Sequence, residues 1–230
     1  MKVSEALNSR QCVRAFSDQP VELADIRALL ELAGRAPSGG NLQPWKVHVV
    51  TGAAREELIQ AVYAKAATHP TGDAPDIAMY PPGLTEPWRQ RRADCGELMY
   101  NKLGIAREDK AGRFAQGAKN MTFFGAPVGL IITMDRSMSE SQMMDVGIFI
   151  QSIMLLAKEF GLSTCPQAFW QMWSDTIREN LGLDHEEMIM AGMSLGYVDD
   201  SDVAADIRQP RLPLDEYATF RGFGESEDTL

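Results

Sequence analysis

Two guanidinium groups four residues apart, and one glycine-rich turn, are the parts of this chain whose residue types and spacing could do chemistry. The run Ser9-Arg10-Gln11-Cys12-Val13-Arg14-Ala15-Phe16 sets Arg10 and Arg14 among small and apolar residues. If this segment is helical or tightly turned, the two side chains converge. Such a pair can fork onto the oxygens of one phosphate through bidentate, charge-assisted hydrogen bonds. Two solvated surface arginines are the plainer alternative. The second stretch, residues 36–50 (APSGGNLQPWKVHVV), packs Pro37, Gly39, Gly40 and Pro44 around Ser38, Asn41 and Gln43. Glycine carries no Cβ, so backbone N–H groups there can come close to a ligand. An ordinary glycine-rich connection is the competing reading.

Familiar catalytic sets are missing from the sequence. It has no HExxH, no GxxxxGK[ST] and no GxGxxG after a strand. His48, His69 and His185 fall in a strand, a proline-rich loop and a helix start, with no pairing implied. Glu186-Glu187 and Asp199-Asp200 read as solvated cap and loop residues. No side chain stands out as a catalytic acid, base or nucleophile, so an enzyme of this sequence would rely on a bound cofactor.

Composition narrows the classes further. With 230 residues, 45% of them hydrophobic, the chain can bury one sizeable core. A net charge of −10 and the lack of a Lys/Arg run argue against nucleic acid as a partner. In so acidic a chain an anion must be held by a few placed arginines. Cys12, Cys95 and Cys165 are odd in number, widely spaced and outside any CxxC, so neither a disulfide framework nor a metal site is expected. The start MKVSEALNSRQ has no apolar signal region, and no apolar run reaches the roughly 20 residues of a bilayer span. A cytoplasmic protein without a membrane partner is the expectation.

The elements that must position these residues follow from periodicity. Leu23, Ile26, Leu29, Leu30 and Ala33 predict an amphipathic helix over 21–33 that delivers the chain to the turn, and 45–51 reads as an apolar strand beyond it. A helix over 53–66 precedes a stretch with five prolines, at positions 70, 75, 81, 82 and 87. Helices are expected over 88–102 and 107–119. Together, residues 68–119 read as an excursion from a single domain that could cover a site, with Trp88, Tyr100 and Phe114 as candidate walls. Further on come a central strand over 126–133, a helix over 145–160 that is apolar on nearly all faces, and a C-cap at Gly161. A short segment over 163–167, a helix over 174–181 and a last strand over 187–196 follow. The chain ends in an arm over 217–223 and an acidic tail over 225–230.

The run over residues 9–16, followed by Pro37-Ser38-Gly39-Gly40-Asn41-Leu42-Gln43-Pro44-Trp45, resembles the paired N-terminal signatures of the FMN-dependent nitroreductase family. NMTFFGAPV at 120–128, GLSTCPQ at 161–167, Leu195-Gly196-Tyr197 and Arg211-Leu212-Pro213 fall in that family's order, so the resemblance covers nearly the whole chain. The excursion over 68–119 is similar to the extended lid of a nitroaromatic reductase subgroup.

This resemblance implies an α+β fold, with a mostly antiparallel sheet flanked by helices, and an intertwined homodimer with two FMN sites at its interface. By motif match Arg10, Gln11, Cys12 and Arg14, with Arg211, would surround the FMN phosphate and ribityl chain. Arg208 or Gln209 would take a second position beside Arg211. Cys12 stands where the family often has serine, which weakens one expected hydrogen bond. Pro37, Ser38, Gly39 and Asn41 would approach the flavin from the other subunit, and Pro166, Gln167 and Ala168 would line the ring near N5. With the lid composition, Trp88 and Phe124 are expected to shape the acceptor site. The implied reaction is a ping-pong transfer of hydride from NADH or NADPH, through flavin N5, to a nitroaromatic or quinone-like acceptor. Reductive dehalogenation, enoate reduction, flavin cleavage and non-catalytic flavin binding are the alternatives.

Overall fold

A computed structural model describes residues 1–73 and 75–222. The end of the expected arm and the acidic tail lie outside the described residues. The chain runs α1 (Val3–Ser9), α2 (Leu23–Ala33), β1 (Trp45–Thr51), α3 (Gly52–Thr68), α4 (Trp88–Lys102), α5 (Lys110–Ala118), β2 (Val128–Asp135), α6 (Glu140–Glu159), β3 (Ser163–Gln167), α7 (Ser174–Leu181) and β4 (Glu187–Gly196). The four strands lie in the order β1-β2-β4-β3, and each neighbouring pair is antiparallel. Strand β2 is buried along all but its last residue, as its continuous apolar run predicts for a strand with a neighbour on either side.

Alternation along β2 feeds two hydrophobic layers. Leu130, Ile132 and Met134 face one way, packing with Ile26 and Leu29 of α2 and with Val146, Phe149 and Ile153 of α6. Ile131 faces the other way, into a cluster with Leu58 and Val62 of α3, Ile177 of α7, Trp170 and Trp173. The sheet is thus covered by helices on both faces. On the second face Trp170 lies so close to β4 that a Cβ on Gly192 would run into its ring, and Phe123 stacks on Trp170 with centroids 4.2 Å apart.

Several elements differ from the sequence expectation. Helix α6 begins at Glu140, five residues early, because Ser139 and Gln142 form a reciprocal cap in which the Ser139 N–H and hydroxyl donate to Gln142 Oε1. Only one stripe of that helix enters the core; Met144 and Ile148 on its other side are 67% and 42% exposed. Helix α5 starts at Lys110, capped by the Asp109 carboxylate accepting from Gly112 N–H. Residues 163–167 form a full strand despite Pro166, which is tolerated at the margin of the sheet. Glu187 is not a solvated cap. It is buried at the start of β4 and accepts from Thr133 Oγ1 at 2.6 Å, His48 Nε2 at 2.9 Å and Lys46 Nζ at 3.1 Å.

The proline-rich stretch between α3 and α4 is pinned at its first half. Asp73 caps α7, accepting from the N–H groups of Asp175 and Thr176 and from the Thr176 hydroxyl. Asp76 accepts from Arg178 at 2.7 Å, Arg136 at 2.6 Å and the Ile189 N–H at 3.0 Å, with its side chain only 4% exposed. Burial pushes the Asp76 carboxyl up, but the Ile189 N–H and the two arginines together hold it below the usual carboxylate value of 3.8. A depressed folded-state pKa stabilises the fold above the unfolded value, and that contribution disappears as pH falls through the folded value. Asp76→Asn is therefore expected to destabilise the protein by about 3 kcal/mol at pH 7 in urea unfolding. The gap to the parent should close as pH drops below about 4; a gap independent of pH would show that the ionised carboxylate is not what holds the stretch.

Candidate functional site

The arginines are positioned by an extended segment attached beyond β3. Cys12 bridges to Thr164 in parallel and Phe16 to Val198 in antiparallel fashion. Val13 N–H donates to Thr164 O, Arg14 N–H to Ala204 O and Ser17 N–H to Tyr197 O, at 3.0–3.3 Å. On its far side the segment is held by Gln11 Nε2 donating to Ala205 O at 2.8 Å and by Asp199 N–H donating to Ala15 O. Val13 and Ala15 are buried in the core. Side chains alternate along an extended chain, so Arg10, Cys12 and Arg14 share the opposite side. The pair converges through the period of two of an extended segment, without the helix or tight turn on which their convergence was conditional.

On that side lies a cavity of about 790 Å³, lined by Arg10, Gln11, Cys12 and Arg14 and by Arg208, Gln209 and Arg211 of the C-terminal segment. Among the described residues no carboxylate pairs with Arg10, Arg14 or Arg211, and Arg10 Nε is buried without a hydrogen-bond partner. Arg14 and Arg211 donate only to backbone carbonyls, Cys12 O for the first and Gln209 O and Pro210 O for the second. Arg208 is paired with Asp206, and Gln209 Nε2 donates to Cys95 O of α4. Uncompensated guanidinium groups converging on one space suit a dianionic phosphate, which they would neutralise. A smaller cavity of about 420 Å³ shares Arg10 and Arg208 but sets Asp200 and Asp206 beside them, whereas the larger one has a single aspartate, Asp94, against five arginines.

Cys12 sits at the floor of this arginine set. Its thiol is brought down to about 6, chiefly by the hydrogen bond from Cys165; burial opposes the shift, and Arg14, Arg10 and Arg211 reinforce it. Cys165, fully enclosed, moves the other way, pushed up by its contact with Cys12 and by burial.

The remaining expected residues are distributed differently. In the turn, Gly39 N–H donates to both oxygens of the buried Asp145 carboxylate at 3.2 Å, and Gln43 N–H to Ser38 Oγ at 2.9 Å. Gly40 and Asn41 both sit at φ +58°, which glycine allows freely and asparagine tolerates. Pro37, Gly39 and Asn41 are exposed and Ser38 half-buried, and none lines the arginine cavity of its own chain. Pro166 is half-buried and Ala168 exposed, but the Gln167 side chain turns inward. Its amide donates to Asn120 O and Oδ1, and its oxygen accepts from Ser194, so only its backbone is left to face a ligand. Phe124 is 7% exposed within the second core cluster, whereas Trp88 is 57% exposed on α4. Trp88 and Phe124 thus lie in different surroundings, one open on α4 and the other within the core. Of the other proposed walls, Phe114 is exposed and Tyr100 lies beneath Arg113.

Two contributions escaped the sequence reading. Asp145, which holds the turn, is separated from it by 106 positions and left no local signal. The α4 residues Arg91, Asp94, Cys95 and Leu98 line the arginine cavity, and their i, i+3, i+4, i+7 spacing was a readable sign of one helix face.

Fold and cavity together define an α+β chain with an arginine-lined cavity beside its sheet margin. The chain belongs to the nitroreductase family, whose model matches residues 7–197. It is 39% identical to a 4-nitrobenzoate reductase of Pseudomonas putida, over 94% of this chain and 93% of the relative. Its fold is similar to that of the FMN and NADPH-dependent nitroreductase NfnB from Sphigopyxis sp. strain HMH, with 44% identity and a TM-score of 0.94, covering 97% of this chain and all of that one. It is also similar to the FMN-dependent nitroreductase NfnB from Mycobacterium smegmatis in complex with NADPH, at 35% identity and a TM-score of 0.89, covering 95% and 97% of the two chains.

The thiolate is the reactive form of cysteine. Alkylation of Cys12 in flavin-free protein, followed by peptide mapping, should therefore reach half its plateau rate near pH 6. A rate still climbing steeply above about pH 8 would contradict a thiolate held by Cys165 and the arginines.

Proposed function

We propose that this protein is an FMN-dependent NAD(P)H oxidoreductase that reduces nitroaromatic or quinone-like acceptors. The observation that carries the reading is the set of three arginines without carboxylate partners, Arg10, Arg14 and Arg211, converging on one cavity in a chain of net charge −10. The relatives' chemistry supports it: a 4-nitrobenzoate reductase on one side and FMN and NADPH-dependent nitroreductases on the other. Bound FMN supplies two-electron transfer between the reduced nicotinamide and the acceptor.

The chain's own residues bind, orient and exclude. Arg10, Arg14 and Arg211, assisted by Arg208, would neutralise the phosphate, and Gln11 and Cys12 would line the same cavity toward the ribityl chain. Pro37, Ser38, Gly39 and Asn41 belong to the site of the partner protomer, because within one chain they stand apart from the arginines and open outward. The exposed Met144 and Ile148 flank Asp145, the residue that holds this turn, and would be covered in a homodimer. Pro166, the Gln167 backbone and Ala168 border the ring. No side chain is assigned as acid or base; positioning is the protein's contribution. Residues 68–119 act as a lid on a single domain, with the exposed Trp88 on its acceptor side. Three unpaired cysteines favour a reducing, cytoplasmic setting.

Purified protein is expected to be yellow and to oxidise NADPH or NADH steadily when a nitroaromatic such as 4-nitrobenzoate is added. Arg14→Ala or Arg211→Ala should weaken FMN binding by about 1.5–3 kcal/mol, read by quenching of flavin fluorescence. Protein that cannot be reconstituted with FMN, or flavin affinity unchanged in both variants, would overturn the reading.

A further inference from the structure

Helix α4 carries three arginines within four residues, and their surroundings differ. Arg89 is paired with Glu86 at 2.7 Å, and Arg92 lies over the Tyr80 ring at 4.0 Å. Both are thereby spent on local partners in the proline-rich stretch. Arg91 instead lies on the stripe formed with Asp94, Cys95 and Leu98, spaced i, i+3, i+4 and i+7, which is the face α4 turns to the arginine cavity. Its ion pair, with Glu216, is long at 3.6 Å, with the two side chains 42% and 52% exposed. An open pair of that kind contributes little and is readily exchanged for a better anion. The acid on the same face, Asp94, is already engaged, accepting from Gln90 Nε2 at 2.7 Å.

The helix is fixed in this position by contacts that do not involve Arg91. Leu98, Met99 and Leu103 pack against Ala15, Ala204, Ala205 and Ile207. Gln209 Nε2 donates to Cys95 O at 3.0 Å, and Lys102 Nζ to Asp206 O at 3.0 Å. The N-terminal segment and the C-terminal segment therefore form two walls of the cavity, and α4 forms the third.

We infer that Arg91 is a further phosphate-binding residue of the cofactor site, supplied in cis by the lid, and that Glu216 is the anion the FMN phosphate displaces from it. The inference rests on the flavin reading above. It gives the lid a second role: α4 retains the cofactor by its phosphate as well as bordering the acceptor. Lid opening and cofactor loss are then linked, because moving α4 removes one of the phosphate's cations.

The test compares equilibrium binding of FMN and of riboflavin, which lacks the phosphate, to the full-length protein by flavin fluorescence. Arg91→Ala should weaken FMN binding about three- to tenfold, less than a buried charged contact because the side chain is partly exposed, and leave riboflavin binding unchanged. Arg91→Lys should recover most of the loss, and Glu216→Gln should tighten FMN about twofold by freeing the guanidinium. Equal losses for FMN and riboflavin, or a loss in Glu216→Gln matching that in Arg91→Ala, would overturn the inference, since the pair would then only hold the lid. A normal FMN affinity in Arg91→Ala with a raised KM for NADPH and not for NADH would also overturn it, assigning the charge to the nicotinamide's extra phosphate. Arg14→Ala separates the levels: if it weakens FMN while Arg91→Ala does not, the flavin reading stands and the role of Arg91 falls; if neither does, the flavin reading itself fails.

Discussion

The structure depends on the attachment of an extended N-terminal segment to the margin of the sheet at β3. The extended run around Cys12 makes backbone hydrogen bonds on two sides, to Thr164 on one and Ala204 on the other. Such a segment has no interior of its own and would be costly to order alone. Between two neighbours its N–H and C=O groups are satisfied, and its alternation is enforced. Val13 and Ala15 must then go into the core, which sends Arg10, Cys12 and Arg14 the other way. The C-terminal segment that provides Ala204 and Ala205 also brings Arg208 and Arg211 to the same space. One stretch of irregular pairing thus collects cations from both ends of the chain.

Electrostatics makes this arrangement informative. In a chain with ten more acids than bases, seven of the fifteen arginines have carboxylate partners among the described residues, among them Arg178 with Asp76 and Asp175, Arg113 with Glu97 and Arg136 with Asp76. Arg10, Arg14 and Arg211 stand out because, among the described residues, they have none and yet line one cavity together. Clustered like charges repel and destabilise a fold unless something neutralises them, so a bound phosphate would stabilise both itself and the segment that holds it. The thiol of Cys12 is depressed chiefly by its hydrogen bond with the buried Cys165, and the positive field of Arg14, Arg10 and Arg211 reinforces the shift.

Much of the fold was legible where one local rule decided the outcome. The strand over 45–51 and the helices over 88–102 and 174–181 lie where periodicity and glycine punctuation put them. The central place of the strand near 126–133 followed from its continuous apolar run, and the sheet's antiparallel character from the family resemblance. Failures occurred where distant groups decide. Pro166 hid the strand at 163–167, which exists because β4 and the N-terminal segment lie on either side of it. Glu187 looked like a surface acid until His48, Lys46 and Thr133 were brought to it across the sheet. Within the candidate site the arginines were readable by type and the turn by its glycines. Asp145 and the cavity face of α4 were not identified, since each acts on residues far away in sequence.

What remains separated in one chain, the arginine cavity and the outward-facing turn, is the central claim: the flavin site is composite, built from the arginines of one protomer and the turn of its partner. Mixing two variants that each fail to hold FMN tests this directly, one with Arg14→Glu and one with a bulky turn, Gly39→Phe. A mixed dimer would contain one site with both parts intact, so co-expression and purification through different tags should recover one flavin per mixed dimer. If each site is built within a single protomer, every site in the mixed dimer carries a defect. Mixed dimers free of flavin would contradict the account.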